Sequence, residues 1–433
     1  MQRNRAPLLP ILAFVTVVAG VRPASAQAVW RVDPGGEGDF LELQEAIDAA
    51  ADGDVIVVEQ STHAPIRIVG KGLRIHAAST FFSVFNEEIE GVEGPAVLVA
   101  DLAPTQSVVI DRLQSFSGLP FAPSAMRVEN CAGPVFVHAA FLDSYGGPAL
   151  HVLGSDSVVL TDCVLQTNVT TPALDGEPQP GPGALVEGGS RLFGYDVSFL
   201  GSHGPFVLPG LPAVSGPQDG GDGLTVIDST VVLQGGDCDG GSGSTFFSGG
   251  CVDGGDGGAG IRLVGTGLQQ PVVRFTATQF SGGSGGFTGG CGTAGVAGPQ
   301  IEPGPGDVIN TFQDLRLVDF EAGLSEPGEP VRFTATGKPG DLVFVFASSA
   351  PAVATTLPTG FLFGEVDLHI TPAPFVAVVS DVLAGPSELF EVPAPAVPPG
   401  VAAATVTLQG VMIDGVFGFP HSSAPSALTI VEP

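Results

Sequence analysis

Basic residues are scarce in this sequence. Its 433 residues include 15 Lys plus Arg against 45 Asp plus Glu, which gives a formal net charge of -30. Proteins that bind nucleic acids or anionic membranes neutralise phosphates with clustered basic side chains. The composition therefore argues against both as partners. It also argues against polyuronate cleavage, because no lysine lies between Gly72 and Gly337 and the arginines there are scattered.

Aromatic residues with a polar group are also scarce, with one Trp and two Tyr. Sugar-binding surfaces usually rely on aromatic faces, which combine large contact area with a polar handle in Tyr and Trp. Tyr145 and Tyr195 are therefore the candidates for exposed sugar contacts. The 28 Phe fall mostly at strand positions, and we interpret them as core.

Only the N terminus carries a long apolar run. Arg3 and Arg5 precede an apolar stretch over residues 8–21, and the small residues Ala24-Ser25-Ala26 follow it. This order predicts a secretory signal peptide over residues 1–26. No later stretch reaches the roughly 18 apolar residues of a spanning helix. We therefore expect a secreted or cell-surface protein without a membrane span.

Turn-forming residues are abundant, with 63 Gly and 38 Pro, yet hydrophobic residues still make up 44% of the chain. This composition is typical of a β-rich protein with a core. A short apolar motif recurs six times, beginning at Gly94, Ser124, Gly147, Gly183, Gly223 and Gly260. In five of these units a second strand follows and ends in a turn. Repeats of about 20–50 residues are typical of a solenoid, in which each unit buries its apolar face against its neighbours.

The segment before these repeats predicts an N-terminal cap. A short strand at residues 30–32 precedes apolar residues at helical spacing, namely Phe40, Leu43, Ala46, Ile47 and Ala50. An amphipathic helix at this place would cover the open end of the first turn of the solenoid, where backbone groups are unpaired.

The motifs of this segment resemble a known family. They are Val32-Asp33-Pro34-Gly35-Gly36-Glu37-Gly38-Asp39-Phe40, Leu43-Gln44-Glu45-Ala46-Ile47-Asp48, Gly53-Asp54-Val55-Ile56-Val57, Ile66-Arg67-Ile68 and Lys71-Gly72-Leu73-Arg74-Ile75. They resemble the first segment of right-handed parallel β-helix proteins of the pectin-lyase-like superfamily, and the resemblance covers about residues 29–300. It implies the fold and little of the chemistry, because this superfamily includes lyases, hydrolases and adhesins.

A second pattern begins near residue 311. Short alternating strands are separated there by turns such as Gly337-Lys338-Pro339-Gly340-Asp341, which predicts an antiparallel β-sandwich resembling immunoglobulin-like modules. The predicted fold is therefore all-β. Residues 27–310 form a right-handed parallel β-helix with an N-terminal capping helix, and residues 311–433 form the sandwich. The Pro- and Gly-rich residues 301–306 predict a hinge.

Gly-rich segments of unequal length follow the second strands, at residues 170–182, 205–222, 235–259 and 282–310. Insertions at equivalent points of a solenoid project from one side, so we expect lateral loops that hold any binding activity. Since export permits disulfides, we predict a bridge between Cys238 and Cys251. Cys291 is the rival partner because it is the repeat equivalent of Cys251. Cys163 is predicted to be a core residue.

No motif identifies a catalytic site. The candidates for catalytic residues are Asp143, Asp162, Asp196 and His203. Glycoside hydrolysis needs two carboxyl groups about 5–10 Å apart, and the sequence does not show which of these residues meet. The alternative interpretation is that Asp162 and Asp196 satisfy backbone groups at solenoid corners, and that His203 belongs to a turn.

Six aspartates in neighbouring Gly-rich segments form a candidate calcium site, because hard cations take oxygen ligands from flexible backbone. They are Asp219, Asp222, Asp237, Asp239, Asp253 and Asp256. The alternative is that Asp and Gly serve turns and solubility.

These observations predict an exported, non-enzymatic β-helix protein that acts in cell-surface structure, adhesion or ligand binding. Glycans and other cell-surface components are the expected partners. The alternative hypothesis is a polysaccharide lyase or glycoside hydrolase built on the same β-helix.

Overall fold

Three long parallel sheets, here called sheets A, B and C, build a parallel β-helix, which confirms the predicted solenoid. The computed structural model describes residues 27–86, 94–117, 124–168, 180–207, 217–246, 252–267, 269–288, 291–304, 307–312, 317–320, 324–325, 327–348, 355–358, 365–368, 375–394, 403–413 and 420–431. The chain visits the sheets in the order A, B, C on each turn. Each strand pairs in parallel with its equivalents in neighbouring turns. The predicted signal peptide lies outside the described residues.

Sheet A has ten strands, and sheets B and C have eight each. The strands of sheet A are Val29–Val32, Val55–Val58, Leu73–Ala77, Val108–Asp111, Val135–His138, Val158–Thr161, Arg191–Tyr195, Thr230–Gln234, Val272–Thr276 and Val308–Phe312. Those of sheet B are Thr62–His63, Phe82–Asn86, Leu113–Ser117, Phe141–Tyr145, Val164–Asn168, Ser198–Leu200, Asp237–Asp239 and Gln279–Ser281. Those of sheet C are Ile66–Val69, Val97–Ala100, Met126–Glu129, Leu150–Leu153, Ala184–Glu187, Leu224–Ile227, Ile261–Val264 and Ile301–Glu302.

The core is a set of stacked side chains inside the β-helix. In sheet A the interior row runs through Ile56, Ile75, Ile110, Val137 and Leu160, which are paired in register and at most 1% exposed. Each such side chain stabilises the fold by about 1.5–3 kcal/mol through burial. Because each turn buries its apolar residues only against its neighbours, the recurring motif in the sequence is the visible trace of this core.

Single residues in the left-handed conformation turn the chain from sheet A to sheet B. Arg112, Ala139, Asp162, Asp196 and Ala277 each follow an A strand directly and have φ values of 50–59°. A non-glycine residue with positive φ is uncommon, and Asp and Asn tolerate it best. These one-residue corners fix which side chains of the following B strand point outward.

The helix Leu43–Ala49 packs beside the first turns. Leu43, Ala46 and Ile47 are buried, as the helical spacing predicted. On its polar side, Gln44 Oε1 accepts the N–H of Arg67 at 2.7 Å, which ties the helix to a strand of sheet C. No helix among the described residues is long and apolar enough to cross a membrane.

The residues after the β-helix form mainly antiparallel sheets, and only Leu324–Ser325 among their described strands pairs in parallel, with Pro420–Val431. A three-stranded sheet contains Leu317–Phe320, Pro330–Thr336 and Ser387–Pro393. A five-stranded sheet contains Leu324–Ser325, Leu342–Ser348, Phe375–Val382, Ala403–Ile413 and Pro420–Val431. A two-stranded sheet pairs Thr355–Pro358 with Glu365–Leu368. The two larger sheets share one hydrophobic cluster, which includes Phe320 and Phe333 from the first and Val345 and Met412 from the second. The strand Val308–Phe312 of sheet A spans the predicted domain boundary between residues 310 and 311.

The strand Pro420–Val431 lies against the outer side of sheet A, here called face A. Face A carries an outward cluster of Val109, Phe136, Val159, Phe193 and Tyr195, each at most 6% exposed. Tyr195 was a candidate for an exposed sugar contact, and that prediction is wrong because its side chain is buried in this cluster. Sheet A is therefore apolar on both sides at these turns.

The Gly-rich segments pack against one another, which differs from the expected separate lateral loops. Where they are described, they lie side by side and donate backbone hydrogen bonds to one another. We call this assembly the glycine lattice. It comprises residues 201–204, 217–223, 240–245, 252–260, 281–288 and 291–300; residues 170–179, 208–216, 247–251, 289–290 and 305–306 of the predicted loops lie outside the described residues.

Hydrogen bonding in the glycine lattice repeats every three residues. Gly240 and Gly243 donate their N–H groups to Ser281 and Ser284 of the next turn. Gly241 and Ser244 donate theirs across the lattice, to carbonyl groups in the segment 217–223. A three-residue period is typical of the polyproline II conformation, and glycine is required where such chains approach closely.

No side chain fits at the inward positions of the lattice. A Cβ atom at Gly241, Gly255 or Gly283 would lie less than 3.0 Å from the backbone of a neighbouring segment. The repeated Gly-Gly-x spacing therefore follows from close packing of backbones, a signal that composition alone presents as low complexity.

Candidate functional site

Face B, the outer side of sheet B, carries a row of aromatic rings. Phe85, Phe116 and Phe141 lie on three successive strands and alternate with buried core residues. The rings of Phe85 and Phe116 are stacked with centroids 4.6 Å apart, and those of Phe116 and Phe141 are 5.8 Å apart. The three side chains are half-buried. Their interpretation as core was wrong, and together they form an apolar strip on the surface.

A polar cluster adjoins this strip. Asp143 lies in register between Phe116 and Gln166, and Tyr145 lies beside Asn168. Asn168 Nδ2 donates a hydrogen bond to Asp143 Oδ1 at 2.7 Å. All of these side chains are half-buried. Face B therefore offers aromatic rings followed by a carboxyl, two amides and a phenol, which is a surface suited to hydroxyl-rich ligands.

Burial raises the pKa of Asp143, and the hydrogen bond from Asn168 offsets part of that rise. A raised pKa is what a general acid requires, so the distance to a second carboxyl matters. On the same outward row, Gln166 and Leu200 separate Asp143 from Asp239. Three strand spacings of about 4.8 Å place the two backbone positions about 14 Å apart. Paired glycosidase carboxyl groups lie within about 10 Å.

Asp162, a second catalytic candidate, is the exposed end of a network with three other residues. Its Oδ2 atom is 3.5 Å from His138 Nε2. His138 Nδ1 is 2.7 Å from Asp111 Oδ1, and Asp111 Oδ2 is 3.5 Å from His76 Nδ1. We call these four residues the His–Asp network. Its far end reaches the C-terminal strand, where His76 Nε2 lies 3.0 Å from Thr429 Oγ1.

The pKa values of the His–Asp network favour a charged pair. Burial alone would lower the pKa of His138, but hydrogen bonds with Asp111 and Asp162 and their charges raise it to about 9. Burial alone would raise the pKa of Asp111, but His138 and His76 hold it well below its usual range. His76 is 0% and Asp111 2% exposed, so a polymer does not reach them. The network links face A to the C-terminal strand.

The other two catalytic candidates lie elsewhere. Asp196 occupies an A-to-B corner with φ of 55°. His203 lies in the glycine lattice, where its Nδ1 atom accepts the N–H of Ser242 at 2.9 Å. The four candidates therefore occupy face B, the His–Asp network, a corner and the lattice, and they do not form one site.

The six aspartates of the candidate calcium site serve as hydrogen-bond acceptors between segments. Asp219, Asp253 and Asp256 accept N–H groups of residues 256, 293 and 296 in the next lattice segment. Asp222 accepts two bonds from Arg262, through Nε at 2.7 Å and Nη2 at 3.1 Å. Asp237 and Asp239 accept hydroxyls of Ser198 and Ser281. In the described part of the chain, no three His, Cys, Asp or Glu side chains are grouped as metal ligands.

The predicted bridge between Cys238 and Cys251 is wrong in this structure. Cys238 is a free, fully buried thiol on the inner side of sheet B, and burial raises its pKa. Cys163 is also free and buried, as predicted for a core residue. Cys291 carries no free thiol, whereas Cys251 lies outside the described residues. The rival pairing of Cys238 with Cys291 is wrong as well, because Cys238 is free.

Sequence reasoning missed Phe116, Asn168, His76 and Asp111. The sequence carries no common corner signal, since the corner residues with positive φ are Arg, Ala and Asp alike. The register of the strands brings the residues together, and it places His76, Asp111 and His138 in one row of face A.

Comparisons with known proteins found weak structural likeness. No family model and no curated protein matches this chain. The enzymatically active domain of tailspike protein 2 from bacteriophage CBA120 is similar at 10% identity and a TM-score of 0.28, over 89% of this chain and 73% of that one. Full-length tailspike protein 2 from an Escherichia coli O157:H7 bacteriophage is similar at 10% identity and a TM-score of 0.24, over 89% of this chain and 65% of that one. A Geobacillus virus E2 protein is similar at 11% identity and a TM-score of 0.25, over 90% of this chain and 72% of that one. Overlap this low carries no argument about function.

Proposed function

We propose that this chain is an exported, non-enzymatic protein of the cell surface that binds glycans on face B. The single observation that supports this proposal is the aromatic strip of Phe85, Phe116 and Phe141, which continues into the polar cluster around Asp143. Sugar rings present apolar faces and hydroxyl edges, and ligand sites combine apolar surface with a few placed polar groups. The strip and the cluster supply these two elements on neighbouring turns.

The wider proposal includes the parts of the chain that position face B. The helix Leu43–Ala49 acts as an N-terminal cap, the β-helix belongs to the pectin-lyase-like superfamily, and the C-terminal sheets form an immunoglobulin-like sandwich. The spacing on face B supports binding rather than hydrolysis, because Asp143 and Asp239 stand about 14 Å apart, three strand spacings along the sheet. Residues 1–26 direct the chain to the exterior.

Replacing Phe116 with alanine tests the proposal. Phe116 stacks on Phe85 and contacts Phe141, so its loss removes the centre of the strip. We expect glycan affinity to fall about tenfold or more, since truncating a central aromatic anchor costs above about 1.4 kcal/mol. A glycan array identifies the ligand for wild-type protein, and calorimetry measures the change.

The matched control is Phe287→Ala, which removes a phenylalanine that is 68% exposed in the glycine lattice. We expect that variant to bind as wild type does. Equal losses in the two variants, or no loss in Phe116→Ala, would remove face B as the site. Release of shortened glycan by wild-type protein would favour the alternative of a polysaccharide-active enzyme.

A further inference from the structure

Face B carries charge of one sign only. The eight strands of sheet B contain no lysine or arginine. Their outward acidic residues are Asp143, Asp237 and Asp239. Proteins that bind carboxylated or phosphorylated ligands match those groups with Arg or Lys, often through two parallel hydrogen bonds. The described part of face B has no such partner to offer.

The arginine next to the aromatic strip is engaged elsewhere. Arg112 occupies the corner immediately before the strand Leu113–Ser117. Its Nη1 atom donates to the carbonyl of Ser79 at 2.8 Å, and its Nε atom is 3.9 Å from Asp111 Oδ2. These contacts direct the guanidinium towards the His–Asp network and the turn at Ser79. It does not neutralise an acidic sugar on face B.

Besides the lack of a basic partner on face B, the carboxylate of Asp143 would repel an anionic sugar. Its carboxyl is half-buried beside Phe116, so water screens it less than it screens a fully exposed carboxylate. An anionic sugar placed on the strip would meet this charge at close range. The neighbouring groups are amides and hydroxyls, namely those of Gln114, Gln166, Asn168, Tyr145 and Ser83. Neutral hydroxyl and acetamido groups complement them without a charge penalty.

We infer that face B selects glycans without anionic groups, so that its ligand is a neutral polysaccharide rather than a polyuronate or a sulfated chain. This inference rests on the proposed function, because it names the chemical class of the ligand bound there. It also assigns a role to Asp143, which excludes anionic sugars in addition to accepting hydrogen bonds from neutral ones.

The test uses the full chain and two sets of probes, a panel of neutral polysaccharides and a panel of polygalacturonate and sulfated glycans. Affinity electrophoresis at low and physiological salt measures binding to each. We expect anionic glycans to bind at least about tenfold more weakly than the best neutral one, with a wider gap at low salt because screening is reduced. We expect Asp143→Asn to reduce the difference in affinity between neutral and anionic glycans, and Gln166→Lys to reduce it further.

Asp219→Asn is the matched control, since it removes one negative charge from the glycine lattice and keeps an acceptor oxygen for the N–H of Asp256. It should leave the ratio of the two affinities unchanged. Tight binding of an anionic glycan that Phe116→Ala abolishes would overturn this inference and leave the proposed function standing. A ratio that shifts equally in Asp143→Asn and Asp219→Asn would also overturn it. Binding to neither panel would remove the proposed function and the inference together.

Discussion

Replacing Gly241 with alanine is expected to destabilise the glycine lattice strongly. A Cβ atom at this position would lie less than 3.0 Å from the backbone of Ser202. Backbone cannot rotate away as a flexible side chain does, so the segments must separate. Gly241 also donates its N–H to the carbonyl of Gly221 at 2.7 Å, and that bond would lengthen. We expect a loss of about 3 kcal/mol or more, at the upper end of overpacking costs.

The matched control is the neighbouring substitution Ser242→Ala. Ser242 points out of the lattice, where its hydroxyl bonds to Ser284 Oγ at 2.9 Å. Loss of this exposed hydrogen bond should cost less than about 1 kcal/mol. Urea denaturation compares the two variants, and hydrogen exchange of residues 240–245 and 252–260 localises the effect. Similar midpoints for the two variants would show that the close backbone contacts are not required.

Replacing Asp111 with asparagine is expected to release the C-terminal strand from face A. Asp111 Oδ1 lies 2.7 Å from His138 Nδ1, and Asp111 Oδ2 lies 3.5 Å from His76 Nδ1. His76 in turn contacts Thr429 of the strand Pro420–Val431. Asparagine leaves a protonated His138 with Asp162 as its remaining acidic partner. Removing one partner of a buried ion pair costs about 3–5 kcal/mol.

The pH dependence of this effect has a definite sign. The pKa of His138 is raised from 6.5 to about 9 in the folded protein. Its stabilising contribution is therefore complete below pH 6.5 and is lost as the pH rises through about 9. The pKa of Asp111 is lowered, so its contribution is lost as the solution becomes strongly acidic. In Asp111→Asn the alkaline loss of stability should shrink, because His138 keeps only Asp162 as an acidic partner and deprotonates at lower pH.

Glu187→Gln is the control for this prediction, since it removes the acidic partner of a histidine on sheet C. The contact between His151 Nε2 and Glu187 Oε1 is 2.9 Å, and both side chains are partly exposed. We expect a change below about 1 kcal/mol, as for other solvent-accessible ion pairs. Chemical denaturation between pH 6 and 10 measures both variants. An alkaline loss of stability that persists unchanged in Asp111→Asn would rule out the network as its source.

The sequence predicted the architecture because each turn repeats the same interior residues. The small apolar motif that begins near Gly94 or Gly147 leads into a strand of sheet C, and motifs such as Phe141–Tyr145 are strands of sheet B. Sheet A was harder to recognise. Val159 and Phe193 are buried on its outer side, on the two strands that the C-terminal strand contacts, so the alternation of apolar and polar residues is lost. The packing of the C-terminal strand on face A is visible only in the three-dimensional structure.

The candidate site was predictable in part. Asp143 and Tyr145 were singled out from the sequence, but Phe116 and Asn168 were not, since each looks like an ordinary strand residue until the turns are aligned. The lattice aspartates show a role that the sequence did not indicate. Asp253 and Asp256 were two of the six candidates for a calcium site, and each accepts an N–H group from the next segment. Spacing along the chain does not distinguish a cation from a donor on a neighbouring turn.

The most direct test of the central claim is a crystal structure of the full chain with the neutral glycan that binds most tightly on an array. We expect sugar rings stacked on Phe116 and Phe141, with hydroxyl or acetamido groups within hydrogen-bond distance, about 2.7–3.2 Å, of Asp143 and Asn168. A glycan ordered on the glycine lattice or on sheet C, with face B empty, would contradict it.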